Sequence, residues 1–277
     1  MFLKLSAGSL LSGFLLLGGA LAAQAEEQQW TLGLSADYFS NLQGVNPASS
    51  VGANAGRKFD DYQLFISQSV VKPYVIYVDE NEFNLSDTVI GVSHPLPSWI
   101  AGMNFSGSAS LSLPLSHYSR RNEIYTKPML AISALDSLWD GTLNFSYSIN
   151  ARFHLSKFQS EVTGDGRGGR PLPKFSYGAS HGGSYLFYED FTALYNLTYN
   201  ETIYYSLDPI SSEALTVVDL PDQTYAVSFT VNYAVTEKWG ASLGLTQGSQ
   251  IIHAGTTDLV LFDEDLSQWF FTSRYQF

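Results

Sequence analysis

From Thr142 to Ser156 the chain alternates with almost no fault. Leu143, Phe145, Tyr147, Ile149, Ala151, Phe153 and Leu155 share one face; Asn144, Ser146, Ser148, Asn150, Arg152, His154 and Ser156 share the other. A period of two is the period of a strand, because successive side chains leave opposite faces of a pleated backbone. Tyr225, Val227, Phe229, Val231 and Tyr233 against Thr224, Ala226, Ser228, Thr230 and Asn232 repeat the pattern. Trp239, Ala241, Leu243 and Leu245 against Gly240, Ser242, Gly244 and Thr246 follow after a short turn at Thr236-Glu237. Read this way throughout, the sequence predicts twelve strands, at about 29–39, 59–69, 72–79, 86–94, 102–115, 122–134, 141–155, 185–199, 201–208, 223–234, 238–248 and 267–277. Those at 72–79 and 201–208 are faintly marked, since Pro73 sits early in one and the other is short. Loss of either hairpin leaves ten. Asp140-Gly141 is a favoured tight-hairpin pair, and long polar loops are expected at about 40–58, 156–184, 209–222 and 249–266.

The composition says what these strands face. The chain has 18 Phe, 17 Tyr and 5 Trp with only 14% charged residues, yet after Ala25 no stretch is apolar enough for a membrane helix. Abundant aromatics without long apolar runs suit strands with lipid on one side and a polar lumen on the other. Trp30, Trp99, Trp139 and Trp239 fall at predicted strand ends or turns on one side, and Trp269 at the opposite side. Indole favours the membrane interface, where its apolar body and polar N–H are both served. The tryptophans of a soluble β-sandwich core would not favour strand ends. The expected fold is an all-β, antiparallel, up-and-down transmembrane β-barrel in a single domain.

Met1 to Ala25 carries Lys4, an apolar run from Leu10 to Leu21 and Ala23-Gln24-Ala25, the three regions of a secretory signal peptide. The run is short for a membrane span of about 20 residues, so residues 26–277 are expected to form the mature barrel. Cysteine is absent, which excludes disulfides and thiolate chemistry. A formal charge of −12 excludes nucleic acid as a partner, since phosphate binding needs a basic footprint.

The last strand carries a further signal. Phe277, Tyr275, Ser273, Phe271 and Trp269 alternate with Gln276, Arg274, Thr272, Phe270 and Gln268, and the sequence stops on the aromatic register. It resembles the bacterial outer-membrane β-barrel proteins, whose last strand ends in Phe with apolar residues at alternate positions before it. The resemblance implies a Gram-negative outer-membrane location and an assembly signal at Phe271, Tyr275 and Phe277. It also implies outer-membrane assembly machinery, outer-membrane lipid and lipopolysaccharide as partners. An even strand count then puts both termini and the short turns in the periplasm, with the long loops outside.

The predicted lumen face is built from Ser, Thr, Asn, Gln and Gly, with Asn104, Ser106, Ser108, Ser110 and Ser112 in one strand. Asp37, Asp87, Glu123, Lys127, Arg152, His154, Asp190 and Arg274 are the charged or titratable residues expected to line it. The expected function is a small channel for passive passage of small polar solutes, without enzymatic activity, cofactor or metal. A plugged lumen with paired charges is the bland alternative, because twelve strands lie between the filled eight-stranded interior and the open sixteen-stranded one. A barrel-type lipid hydrolase would rest on Ser180, His181 and Ser184 as nucleophile and base. That segment lies in a predicted Gly-rich loop and lacks the His-x-Ser-Asn-Gly pattern of the outer-membrane phospholipase. A non-conducting surface or structural barrel acting through its loops is the third reading. Arg167, Arg170 and Lys174 lie in a basic Gly/Pro-rich loop, expected to be an exposed loop, with contact to lipopolysaccharide phosphates or an inward fold that narrows the pore as the alternatives. Asp79-Glu80-Asn81-Glu82 and Asp263-Glu264-Asp265 lack EF-hand spacing. An autotransporter barrel is disfavoured, since the first strand begins a few residues after the expected cleavage point.

Deleting Phe277 is expected to impair assembly, read as loss of the heat-modifiable band on an unboiled gel. Undiminished heat-modifiable protein in the membrane fraction would refute a role for the terminal Phe.

Overall fold

The computed structural model describes residues 30–44, 46–74, 83–162, 168–205, 222–250, 252–253, 256–257 and 266–277. The expected signal peptide, both acidic clusters, Arg167, and most of the loops expected at 209–222 and 249–266 lie outside them. Twelve long strands form the wall: β1 (Trp30–Asn41), β2 (Ala48–Phe59), β3 (Tyr62–Pro73), β4 (Thr88–Leu96), β5 (Met103–Leu113) and β6 (Ile124–Leu138). The second half comprises β7 (Leu143–Phe153), β8 (Pro173–Tyr188), β9 (Phe191–Tyr204), β10 (Asp222–Ala234), β11 (Trp239–Gln250) and β12 (Ser267–Gln276). Each pairs antiparallel with its sequence neighbours. β12 then returns to β1, with Gly33 opposite Gln276 and Asn41 opposite Gln268. The sheet therefore closes, and no long edge remains to leave amides unpaired in lipid. Among the described residues no helix is long and apolar enough to cross a membrane. The short helix α1 (His117–Arg121) lies between β5 and β6.

Alternation sorts the side chains. Ile149 and Leu130 point outward at 60% and 61% exposure, whereas Ser148 and Thr272 on the opposite parity are 8% and 1% exposed. Leu243, Phe229, Val231, Phe271, Tyr275 and Phe277 are also exposed on the outer face. A largely polar interior and an apolar exterior invert the plan of a soluble protein and match a lipid-facing barrel. The turn after β6 brings Gly141 N–H to Leu138 O at 3.2 Å. Trp30, Trp99, Trp139 and Trp239 are all exposed at the short-turn end. Inside, two rings lie flat against the wall. Phe65 covers Gly91 and Phe270 covers Gly244, and a β-carbon on either glycine would run into the ring.

The strand count matches the expectation, but two stretches reach it by a different route. The predicted loop at 40–58 holds most of β2, the strand predicted at 59–69 continues as β3 to Pro73, and residues 75–79 of the strand predicted at 72–79 lie outside the described residues. The outward residues of β2 include Val51, Ala53 and Ala55, and its inward ones Gly52, Asn54 and Gly56. So little apolar contrast leaves the period faint, while the ladders on both edges hold the strand. The predicted loop at 156–184 likewise holds most of β8, the strand expected at 185–199 spans the end of β8 and much of β9, and the strand expected at 201–208 is described only as far as 205, β9 ending at Tyr204. The chain reverses at Glu189-Asp190, between Tyr188 and Phe191. A bulge between Leu186 and Tyr188 keeps odd-numbered residues outward on both sides of that turn, so the alternation passes through with no sign of reversal.

Replacing Val231 by Arg is expected to cost roughly 2–4 kcal/mol if it lies near the bilayer midplane. Arg at Thr230, on the lumen side, should be mild. Unfolding titrations in lipid vesicles check this, and equal tolerance at the two positions would refute the facing.

Candidate channel lumen

The inner wall is a polar surface built by register. Ser106, Ser108, Ser110 and Ser112 of β5 stand opposite Ser133, Ala131, Met129 and Lys127 of β6. Ser148 of β7 meets Ser180 of β8, their hydroxyl oxygens 2.7 Å apart. Asn196, Thr198 and Asn200 of β9 lie opposite Gly182, Ser180 and Gly178. Small polar side chains on every second residue satisfy one another or water and leave little bulk in the bore.

Against this wall the charged residues separate into distinct settings. Asp37 accepts hydrogen bonds from Ser50 Oγ at 2.8 Å and Thr272 Oγ1 at 2.7 Å, so it ties β1 to both of its neighbours, β2 and β12. Arg274, one inward position along β12 from Thr272, feels the Asp37 charge. Arg152 faces inward on β7, with Nη2 3.2 Å from Met129 Sδ and a buried Nε that has no partner. Among the described residues it forms no ion pair. His154, one residue beyond β7, shares a hydrogen bond with the Ser176 hydroxyl at 3.2 Å. Burial, then the Arg152 and Lys127 cations, lowers its pKa to about 4, so it stays neutral.

At the long-loop end Lys127 and Asp87 form an ion pair at 2.7 Å. Ser119 of α1 donates to the same carboxylate at 2.6 Å, and the Ser116 N–H donates to its other oxygen at 2.9 Å. Ser116 also caps the helix, accepting from the Ser119 N–H at 3.1 Å. Burial works against ionisation of Asp87, but Lys127 and the hydrogen bonds from Lys127, Ser119 and Ser116 outweigh it and hold the carboxyl below its ordinary range. One carboxylate thus ties α1 to the rim.

Two of the expected lining residues stand elsewhere. Glu123 is exposed in the loop before β6 and pairs with Lys157 at 2.6 Å. Asp190 is in the exposed turn between β8 and β9, where its carbonyl accepts from the Ala234 N–H at 2.9 Å. Sequence reading passed over Ser116 and Ser119, because a five-residue helix inside a loop leaves no periodic signal.

The hydrolase arrangement does not form. Ser180 and Ser184 point into the lumen, while His181 lies between them on the opposite, outward parity. Its ring stacks on Tyr147 at 4.8 Å, and its Nε2 shares a hydrogen bond with the Tyr195 hydroxyl at 2.7 Å. The wall itself separates the imidazole from both hydroxyls. The expected Gly-rich loop is strand β8, in which Gly183 gives the Tyr195 ring room to lie flat. Among the described residues no group of three or more His, Asp or Glu is arranged to hold a metal ion.

No family model matches the chain, and no curated protein matches its sequence. Solved structures do match its course. An outer membrane channel from Pseudomonas putida F1 superposes with a TM-score of 0.61 at 12% identity, covering 91% of this chain and 97% of that one. The NanC porin gives 0.52 at 12% identity, covering 89% and 98%. The KdgM porin gives 0.51 at 9% identity, covering 88% and 99%. This chain has the fold of an outer-membrane β-barrel. At such identities the likeness lies in the strand plan and closure, and the lumen's residues are this chain's own.

Replacing Asp87 by Asn should loosen α1 by about 1.5–3 kcal/mol, the range for hydrogen bonds to a charged group. Hydrogen exchange of the Ser116–Asn122 amides measures it, and unchanged protection would refute the tie. A carboxyl held low in the folded state stabilises above its ordinary pKa and loses that effect as pH falls through its folded value. Acid should therefore loosen the same amides in the unaltered protein.

Proposed function

We propose that this chain is an outer-membrane channel for passive passage of small polar solutes. The observation that carries the reading is the largely polar, Ser/Thr/Asn/Gly-rich inner surface of a closed twelve-stranded barrel. Such a wall offers hydrogen-bonding groups along the bore. The solved structures similar to it include two described as porins and one described as an outer membrane channel, which supports the same reading. Residues 1–25 act as the export signal, and Phe271, Tyr275 and Phe277 as the ending read by the assembly machinery. Both termini and the short turns face the periplasm. The long-loop end, with Arg170 and Lys174, faces lipopolysaccharide.

Planar-bilayer recordings of refolded, heat-modifiable protein should give stepwise conductance above background. Well-folded protein that never conducts would overturn the channel reading and favour a role for the loops. Arg152 is a fixed lumen cation without an acidic partner among the described residues, so Arg152→Glu should move the reversal potential toward cation preference. An unchanged reversal potential in a conducting variant would place Arg152 outside the ion path.

A further inference from the structure

On the outer face of β1 to β3 the apolar band ends abruptly at the short-turn side. Leu32 and Leu34 of β1 and Leu64 and Ile66 of β3 are exposed within it, and Trp30, Phe59 and Tyr62 are exposed along its rim. Arg57 lies on this outward face, opposite Trp30 in β1 and Leu64 in β3. Its guanidinium carbon is 4.8 Å from the centroid of the Trp30 ring and 4.3 Å from that of Phe59. Two aromatic faces attract the cation. The N–H donors of a guanidinium lie in its own plane and call for oxygen partners that ring faces do not supply.

Nothing else among the described residues uses them. Arg57 Nε is buried without a hydrogen-bond partner, and no ion pair forms between Arg57 and the exposed Asp60 or Asp61 in the turn beyond Phe59. At the opposite end of the same face Lys72 of β3 stands over the Phe83 ring at 5.2 Å. A cation on aromatic rings thus marks each border of one apolar strip, the level at which a lipid turns from acyl chain to headgroup. Arg57 presents the planar fork that matches two oxygens of a phosphodiester. The leucines and rings beside it supply a surface for the attached chains.

We propose that Arg57, held against the Trp30 and Phe59 rings, is a phospholipid-binding site that takes one lipid phosphodiester on its terminal Nη donors. The proposal rests on the barrel spanning a bilayer and is independent of whether its lumen conducts.

The test is native mass spectrometry of the full refolded chain in octyl glucoside, titrated with dioleoyl phosphatidylglycerol. The unaltered protein should retain one lipid that Arg57→Met loses, an affinity drop of about tenfold for a bidentate charged contact. Dioleoylglycerol, with the same chains and no phosphate, should not be retained, and excess inorganic phosphate should not displace the lipid. Equal phosphatidylglycerol occupancy in protein and variant would overturn the site. Equal retention of dioleoylglycerol would show chain packing alone, and displacement by inorganic phosphate would show a free-anion site; either overturns the proposal. Should Arg57→Met give no heat-modifiable band, Arg57→Lys keeps charge and stem but loses the fork. It should then bind about threefold more weakly, and unchanged binding by that variant would overturn the site as well.

Discussion

Everything in this barrel depends on the need to pair backbone amides where water is scarce. A peptide group left unpaired in hydrocarbon costs several kcal/mol, so the ladder between β12 and β1 is the condition on which the other eleven hold. On the inner side of that seam Asp37 is tied to Thr272 and Ser50, and Phe39 stands opposite Phe270. The Phe277 N–H extends it by one more bond, reaching Leu32 O at 3.0 Å. The aromatic side chains at the C-terminal end therefore sit on the strand that completes the circle.

The same constraint explains how much of the fold was legible. β7, β10 and β11 announce themselves because large apolar side chains on one parity meet Ser, Asn and Thr on the other. β2 is nearly silent, with Val51, Ala53 and Ala55 outward against Gly52, Asn54 and Gly56. Its membership in the sheet is decided by two flanking ladders, which a local pattern does not contain. β8 was hidden for a second reason, since its bulge keeps the alternation in phase across Glu189-Asp190. The number of strands still comes to twelve, as the strands expected at 72–79 and 201–208 stand in the count for the two omitted ones.

The lumen was legible where it shares the strand period and obscure where it depends on the loops. Asp37, Lys127, Arg152 and Arg274 stand on the inward parity that alternation assigned them. Glu123 and Asp190 fall just outside strand ends, where parity no longer constrains a side chain. The pairing of Asp87 with Lys127 crosses from one strand end to another and recruits α1, a contact no spacing along the chain reveals. His181 shows the converse: three residues adjacent in sequence look like a cluster, and the pleat places the imidazole on the far side of the wall from both hydroxyls.

The flat seating of Phe65 over Gly91 and of Phe270 over Gly244 has a consequence for how such a tube can diversify. A methyl added at either notch would meet not only the ring but also a carbonyl of the adjoining strand, Ala109 O at 2.8 Å from the new carbon at Gly91 and Phe229 O at 2.7 Å at Gly244. Filling and wall are therefore coupled at these two points, and the interior cannot be altered there without disturbing a ladder.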